Sequence, residues 1–155
     1  MASQISQLGA ASDLCRQAYQ VCKHSHPVPW SESVFNDCLS SPYFANAILD
    51  GKTLQGYYIG LMVADEATLM DIAVHPSARK QGVGRRLLTH FIAQCEQFNA
   101  MSCWLEVRAS NTAAIALYEQ FHFVQIARRK GYYAMAGDAN AKEDALIMQR
   151  TLKNS

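Results

Sequence analysis

Hydrophobic positions along this 155-residue chain change period several times, and each change predicts an element. Between Ser12 and Lys23, the residues Leu14, Ala18, Val21 and Cys22 recur at helical steps and form one side of a helix. His24-Ser25-His26-Pro27-Val28-Pro29-Trp30 breaks that helix. Ser31 is placed to cap a second one, with Trp30 and Phe35 at hydrophobic-staple positions around it. Tyr43 to Leu49 and Thr53 to Val63 read as a hairpin around Asp50-Gly51. Leu69-Met70-Asp71-Ile72-Ala73-Val74 reads as a strand that His75-Pro76 stops, because proline has no N–H to give to a ladder. Val83, Leu87, Leu88, Phe91, Cys95 and Phe98 return to helical spacing. Ser102 to Val107 is a further strand, and Ser110-Asn111 caps a helix carrying Ala114, Ile115, Leu117, Tyr118 and Phe121. Phe123 to Ala127 and Ala145 to Thr151 read as two closing strands joined by a polar, glycine-containing loop. The pattern shows no repeats, linkers or low-complexity tracts, and predicts a single α+β domain over residues 1–155.

One junction in this pattern carries candidate chemistry. Arg79-Lys80-Gln81-Gly82-Val83-Gly84 lies between the Leu69–Val74 strand and the following helix. Its two glycines allow close backbone approach to a ligand and leave N–H groups pointing outward at the positive end of the helix dipole. Arg79, Lys80, Arg85 and Arg86 add positive charge, which suits a phosphate or pyrophosphate. An ordinary tight strand-to-helix turn has the same pattern. A dinucleotide fingerprint would need a third glycine where the chain has Leu87, and a P-loop would need Gly-Lys-Ser/Thr. A phosphate-binding turn of another kind remains.

Bulk properties narrow the partners. A formal net charge of +1 provides no broad basic field, so no nucleic acid is expected. Met1 to Ala11 lacks a charged region followed by an apolar core, and no later run approaches the roughly 18 apolar residues of a membrane span, so no membrane partner is expected. The five cysteines are odd in number and show no CxxC spacing. Cys95 lies on the apolar helical stripe, and Cys15 and Cys22 share a helix face, as reduced core thiols of a cytoplasmic protein would. A disulfide or metal role is the alternative. His24 and His26 have no third ligand nearby and read as a solvated loop, while His75 and His90 show no identifiable partner. No metal is expected.

The element order and the glycine turn together resemble the GCN5-related N-acetyltransferase (GNAT) family. Its acetyl-CoA pyrophosphate turn has the pattern Arg/Gln-x-x-Gly-x-Gly/Ala, matched by Arg79, Gly82 and Gly84 at all three defined positions. Trp104-Leu105-Glu106-Val107-Arg108-Ala109-Ser110-Asn111 and Ala114-Ile115-Ala116-Leu117-Tyr118-Glu119 are similar to its RimI branch, as are Pro29-Trp30-Ser31 and Glu143-Asp144-Ala145. That branch acetylates the N-terminal alanine of a small-subunit ribosomal protein. The similarity runs from the Pro-Trp region to the last strand. It implies a mixed, mostly antiparallel sheet with helices on both faces, splayed between the Leu69–Val74 and Ser102–Val107 strands. Acetyl-CoA is the implied co-substrate. It would enter the splay while the acceptor N-terminus approaches from the opposite side, for direct transfer in a ternary complex without a nucleophilic cysteine. Two departures stand out. His122-Phe123 occupies the place of a usual Gly-Phe, where His tolerates the left-handed conformation of a helix C-cap at some cost. Lys130-Gly131 precedes Tyr132-Tyr133 where relatives often have a single polar residue, and a Met135 to Lys142 loop follows.

Each site residue admits a bland reading beside the catalytic one. Glu106 shares a strand face with Ser102 and Trp104, opposite Cys103, Leu105 and Val107. From spacing alone it is either a salt-bridge partner of Arg108 or another cation, or a general base. The resemblance implies the base, acting directly or through water. An α-amine has a pKa of about 7.7–8.0, so modest help suffices near neutral pH. Tyr118 is either a core tyrosine or a donor, since its phenol stays protonated at pH 7. The resemblance implies the general acid for the thiolate leaving group. It also implies that backbone N–H groups at Ile72, Ala73 and Val74 bind the pantetheine arm and polarise the acetyl carbonyl. The cofactor-binding set implied is Arg79, Lys80, Gln81, Gly82, Val83, Gly84 and Arg85, with Asn111 both capping its helix and touching the cofactor. Trp30, Tyr132 and Tyr133, read as loop aromatics, are candidates for holding a peptide's first residues.

Three other functions fit less well. A GNAT enzyme acting on lysine side chains or small amines would share the cofactor site and differ in the acceptor cleft. A non-catalytic acetyl-CoA sensor would need neither Glu106 nor Tyr118. A nucleotide-binding α/β domain lacks its required glycine and Lys-Ser/Thr.

Overall fold

The computed structural model describes residues 4–10, 12–135 and 137–152. The Met1–Ser3 and Ala11 parts of the N-terminal reading, and residues 153–155 of the predicted domain, lie outside the described residues. The elements run β1 (Gln4–Gln7), α1 (Asp13–Ser25), α2 (Glu32–Asp37), β2 (Tyr43–Asp50), β3 (Thr53–Val63), β4 (Glu66–Val74), α3 (Val83–Gln97), β5 (Ser102–Arg108), α4 (Thr112–Gln120), β6 (Val124–Met135) and β7 (Asp138–Thr151). The strands form one sheet in the order β1-β2-β3-β4-β5-β7-β6, antiparallel except for the parallel β4–β5 pair.

Side-chain alternation along the strands divides the core in two. Tyr57, Ile59 and Ala73 pack with α1 and α2 residues such as Ala18, Tyr19 and Phe35. Tyr58, Leu69, Cys103, Leu105 and Val107 pack with Leu87, Leu88 and Phe91 of α3 and Tyr118 of α4. Helices therefore cover both faces. Ser12, Ser31 and Asn111 cap α1, α2 and α4 through side-chain oxygens, at 3.1, 3.2 and 3.2 Å from the receiving N–H groups. Trp30 and Phe35 share the α1–α2 cluster, as their staple positions predict. His122 adopts φ +68° after α4. All five cysteines are free and buried.

Two features position the site. The β4–β5 ladder holds only from Glu66↔Ser102 to Leu69↔Leu105. Beyond it the strands part, and the β5-facing backbone groups of Ile72–Val74 have no strand partner among the described residues. Next to the parting point, the β3–β4 register shifts between Ile59↔Asp71 and Gly60↔Leu69, making Met70 an extra residue on β4. The bulge resets the alternation, so that Asp71 and Ala73 face α1 while Ile72 and Val74 face α3.

The structure corrects the reading of the chain's ends. β1 forms an edge strand where no element was expected. β6 and β7 extend far beyond Phe123–Ala127 and Ala145–Thr151, so the expected Met135 to Lys142 loop is the tip of a long hairpin, with residue 136 outside the described residues. Tyr132 and Tyr133 accordingly lie in β6, not in a loop. Between Arg129↔Ala145 and Tyr133↔Glu143, β6 has three residues (Lys130, Gly131, Tyr132) against one on β7. Gly131 takes φ +58° there, and the Asp144 carboxylate holds the bulge by accepting from the Gly131 N–H at 3.0 Å and from Arg128 at 2.5 Å. Tertiary ion pairs thus stabilise a strand tip whose composition is that of a loop.

Candidate active site

The start of α3 is built for an anion. Gly82 caps the helix at φ +78° without a side-chain cap. A Cβ at Gly82 would meet open space, so the left-handed backbone is what selects glycine. Lys80 also has positive φ, at +62°. The first helical bond runs from the Arg86 N–H to the Gly82 carbonyl at 3.0 Å, and the N–H groups of Gly82, Val83, Gly84 and Arg85 donate to no acceptor among the described residues. Gly56 fixes their position. A Cβ on it would come within 2.8 Å of the Ala73 carbonyl and 3.0–3.1 Å of Leu87 and Val83, so only glycine lets α3 start this close to the sheet. A groove of about 400 Å³ opens over the turn, walled by Val74, Ala114 and Leu117 and rimmed by Arg79, Lys80 and Arg85. Arg85 is steadied by Gln120 and by the ring of Phe121.

The second half of the site lies where β4 and β5 part. Because Cys103, Leu105 and Val107 face α3, Glu106 faces the α1 side, the same side as Asp71. Glu106 pairs with Arg129 at 3.1 Å, with side-chain exposures of 32% and 48%, so solvent screens the pair and Glu106 can exchange partners at small cost. Arg129 in turn stacks on Tyr132 at 3.9 Å. Of the partners that spacing allowed, Arg108 or another cation, the structure pairs Glu106 with another, Arg129; Arg108 binds Glu143 at 2.9 Å and the Ala134 carbonyl at 2.9 Å, and covers the Tyr133 ring at 4.5 Å. Glu143 also accepts from the Ser110 N–H, and its carboxyl is held below the usual range first by Ser110 and then by Arg108. Tyr133 is half-buried, and its phenol is pushed up by burial, then by the charge of Glu106.

Tyr118 approaches from the opposite face. Its ring packs edge-on to Phe123 at 6.1 Å, inside the α3–α4 cluster. Its hydroxyl has no hydrogen-bond partner among the described residues. Burial, then the charges of Asp71 and Tyr133, raise its pKa beyond the ordinary tyrosine value, so it stays protonated at any working pH.

Residues 8–123 match the profile of the acetyltransferase (GNAT) family. The chain belongs to that family. Among curated relatives, the [ribosomal protein bS18]-alanine N-acetyltransferase of Escherichia coli (strain K12) is 40% identical over 131 residues, covering 84% of this chain and 86% of the relative. The putative [ribosomal protein bS18]-alanine N-acetyltransferase of Bacillus subtilis (strain 168) is 32% identical over 136 residues, covering 86% and 87%. The crystal structure of the ribosomal-protein-S18-alanine N-acetyltransferase from Escherichia coli superposes with a TM-score of 0.90 at 36% identity, covering 99% of this chain and 96% of that one. The sheet splay and the glycine turn described above are therefore features of a GNAT fold.

Within this GNAT fold, Arg79, Lys80 and Gly82 to Arg85 gather around one groove, whereas the Gln81 amide turns back to donate to the Ser77 carbonyl at 3.1 Å, and Glu106 and Tyr118 flank the splay from opposite faces. Trp30 lies in the α1–α2 connection, half-buried, with its carbonyl bonded to the Tyr19 hydroxyl at 2.9 Å. The histidine expectations fail: His24 lies in α1 with its Nδ1 2.8 Å from the Gln20 carbonyl, and the His75 Nδ1 accepts from the Ser77 N–H at 3.1 Å. His26 is not a solvated-loop histidine: its Nε2 lies 2.7 Å from the buried Asp71 carboxylate. His90 likewise has a partner, the Tyr58 hydroxyl at 2.8 Å. Asp71 went unremarked in the sequence, although a carboxylate inside an apolar strand was the available signal. Cys22, His26 and Asp71 bring potential ligand atoms within 4.8 Å of one another. Both Asp71 oxygens are already engaged by His26 and Tyr57, and burial followed by the charge of Asp71 pushes the Cys22 thiol up to about 11. The group forms a hydrogen-bond network.

A Cβ at Gly84 would meet Leu117 and Val74 only at 3.8 Å, which is ordinary contact. Gly84→Val is therefore expected to fold and to weaken acetyl-CoA by crowding the groove. Calorimetric titration checks this, and unchanged affinity in the folded variant refutes a pyrophosphate role for the turn.

Proposed function

We propose that the chain is an acetyl-CoA-dependent Nα-acetyltransferase that modifies the N-terminal alanine of a small-subunit ribosomal protein in the cytoplasm, by direct transfer in a ternary complex. The observation carrying the chemistry is the disposition of Glu106 and Tyr118 on opposite faces of the splay, beside a turn whose free N–H groups fit a pyrophosphate. The acceptor is supported by the 40% identity to an enzyme named for that alanine.

In this reading the N–H groups of Gly82 to Arg85 hold the pyrophosphate, with Arg79, Lys80 and Gln81 at the rim of the turn. The unpaired backbone of Ile72, Ala73 and Val74 takes the pantetheine arm and polarises the acetyl carbonyl. Asn111 spends its oxygen on the α4 cap, leaving its amide NH2 to donate to the cofactor. Trp30, Tyr132 and Tyr133 line the acceptor cleft. Glu106 exchanges Arg129 for the incoming amine and accepts a proton from it. Tyr118 gives its proton to the departing sulfur.

Acetyl-CoA turnover over a peptide panel tests the acceptor. Alanine or another small first residue is expected to be preferred over bulky ones by about 1–3 kcal/mol in transition-state binding, the scale on which a pocket discriminates such differences. Blocking the N-terminus should abolish transfer while internal lysines remain free. Robust acetylation of the blocked peptide would instead establish a lysine-directed enzyme.

A further inference from the structure

Acetylation of an ammonium takes two protons from one nitrogen. The first must leave before attack, to free the lone pair, and the second must leave as the amide forms. One proton ends on the sulfur and the other in solvent. Glu106 holds one proton at a time, and the α1-facing side of the splay carries a second acceptor opposite it.

That acceptor is His26, at the end of α1. Its Nε2 lies 2.7 Å from Asp71 Oδ1, and the Tyr57 hydroxyl donates to Asp71 Oδ2 at 2.5 Å. Asp71 is 6% exposed, whereas His26 is 35% exposed. Donation from Nε2 to the carboxylate fixes the tautomer and leaves Nδ1, which has no partner among the described residues, as a lone-pair acceptor. A buried carboxylate is costly unless paired, and here it is spent orienting one partly exposed imidazole. The pair also faces the reaction: Tyr118 senses the charge of Asp71, and His26 that of Arg108, which covers Tyr133.

We propose that His26, oriented by Asp71 and Tyr57, accepts the first proton of the acceptor α-ammonium from the β4 side of the splay, leaving Glu106 on the β5 side to accept the second. The inference rests on the α-amine acetyltransferase reading. The ammonium N–H bond breaks and a proton bonds to Nδ1, giving an imidazolium balanced by Asp71, which then returns its proton to solvent. Glu106 takes the second proton as the N–C bond forms, and Tyr118, which protonates the sulfur, is reprotonated by Glu106 or water. The groups facing the pair are Cys22 from α1, Cys38 after α2, Tyr57 from β3, Arg108 from β5 and Tyr118 from α4. Burial alone would push the His26 pKa down, but the hydrogen bond and charge of Asp71 outweigh it and leave a net rise. His26 therefore sheds its proton, and becomes competent, at higher pH than an unpaired histidine would.

The test is kcat/KM against pH for an alanine-starting peptide, with the melting temperature measured in parallel. His26→Gln is expected to lower kcat/KM on the order of tenfold to a hundredfold near neutrality, within the lower reach of a positioned base, with the loss shrinking at alkaline pH where the amine is already free. Asp71→Asn should move the acidic limb to lower pH, because the group that raises the His26 pKa is gone. Wild-type rates in His26→Gln at every pH overturn the inference. So does a loss that is equal at all pH and accompanied by a lower melting temperature, or stoichiometric zinc retained by the purified protein. Failure of the wild type to acetylate any free N-terminus overturns the proposed function itself, and is read without the variants.

Discussion

Glu106→Gln is expected to reduce turnover by a factor on the order of 10²–10⁴ while barely changing acetyl-CoA affinity. The substitution keeps shape and hydrogen-bonding reach but removes the charge proposed to receive the amine's proton. The rival account is structural, and the Arg129–Glu106 pair gives it substance. That pair is partly exposed and screened, so its loss removes little stability, and Arg129 keeps its stacking on Tyr132. Melting temperature should therefore shift little. Raising the pH should rescue the variant little where His26 takes the first proton, because the second, lost as the amide forms, still needs an acceptor; a large alkaline rescue would give Glu106 the first proton instead. A variant with a wild-type rate per folded molecule but a lowered melting temperature would make Glu106 a brace for the β6–β7 hairpin.

The parts of this site that could be read from sequence are those whose chemistry is local. The glycine turn shows itself because a left-handed Gly82 and an amphipathic α3 are adjacent in the chain. The Glu106 strand face follows from period-two alternation, and the α4 cap from Asn111 preceding its helix by one residue. What stayed hidden depends on contacts between distant segments. His26 and Asp71 lie 45 residues apart, and nothing near either one announces the other. β1 is a four-residue edge strand, three of its residues polar, too short for any period to emerge. The β6–β7 tip reads as a loop because Arg128, Lys130 and Gly131 suit one. It becomes a strand because Asp144 and Glu143 on β7 hold Arg128, Gly131 and Arg108 in place. That correction bears on the proposed function, since the bulge at Lys130–Tyr132 sets Tyr132 and Tyr133, the residues proposed to line the acceptor cleft, against Arg129 and Arg108.

Tyr118→Phe is expected to fold with near-native stability and to lose turnover, again on the order of 10²–10⁴. Both halves follow from the same observation. The hydroxyl has no partner among the described residues, so its removal breaks no hydrogen bond in the protein, and phenylalanine retains the edge-on packing against Phe123. A tyrosine serving only the core would therefore tolerate the change in rate as well as in stability. As a general acid it cannot, because the thiolate would depart without a proton. Burial holds the Tyr118 phenol above its ordinary pKa, and the charges of Asp71 and Tyr133 add to that. The acid thus stays loaded throughout the working range, and any alkaline fall in kcat/KM of the wild type must arise from another group. The variant should keep the acidic limb set by the bases on the α1 side and lose height at every pH. Acetyl-CoA affinity should be unchanged, since the groove over the α3 turn does not include the Tyr118 side chain. An active, fully stable Tyr118→Phe would remove Tyr118 from the chemistry and leave the leaving thiolate to be protonated by water.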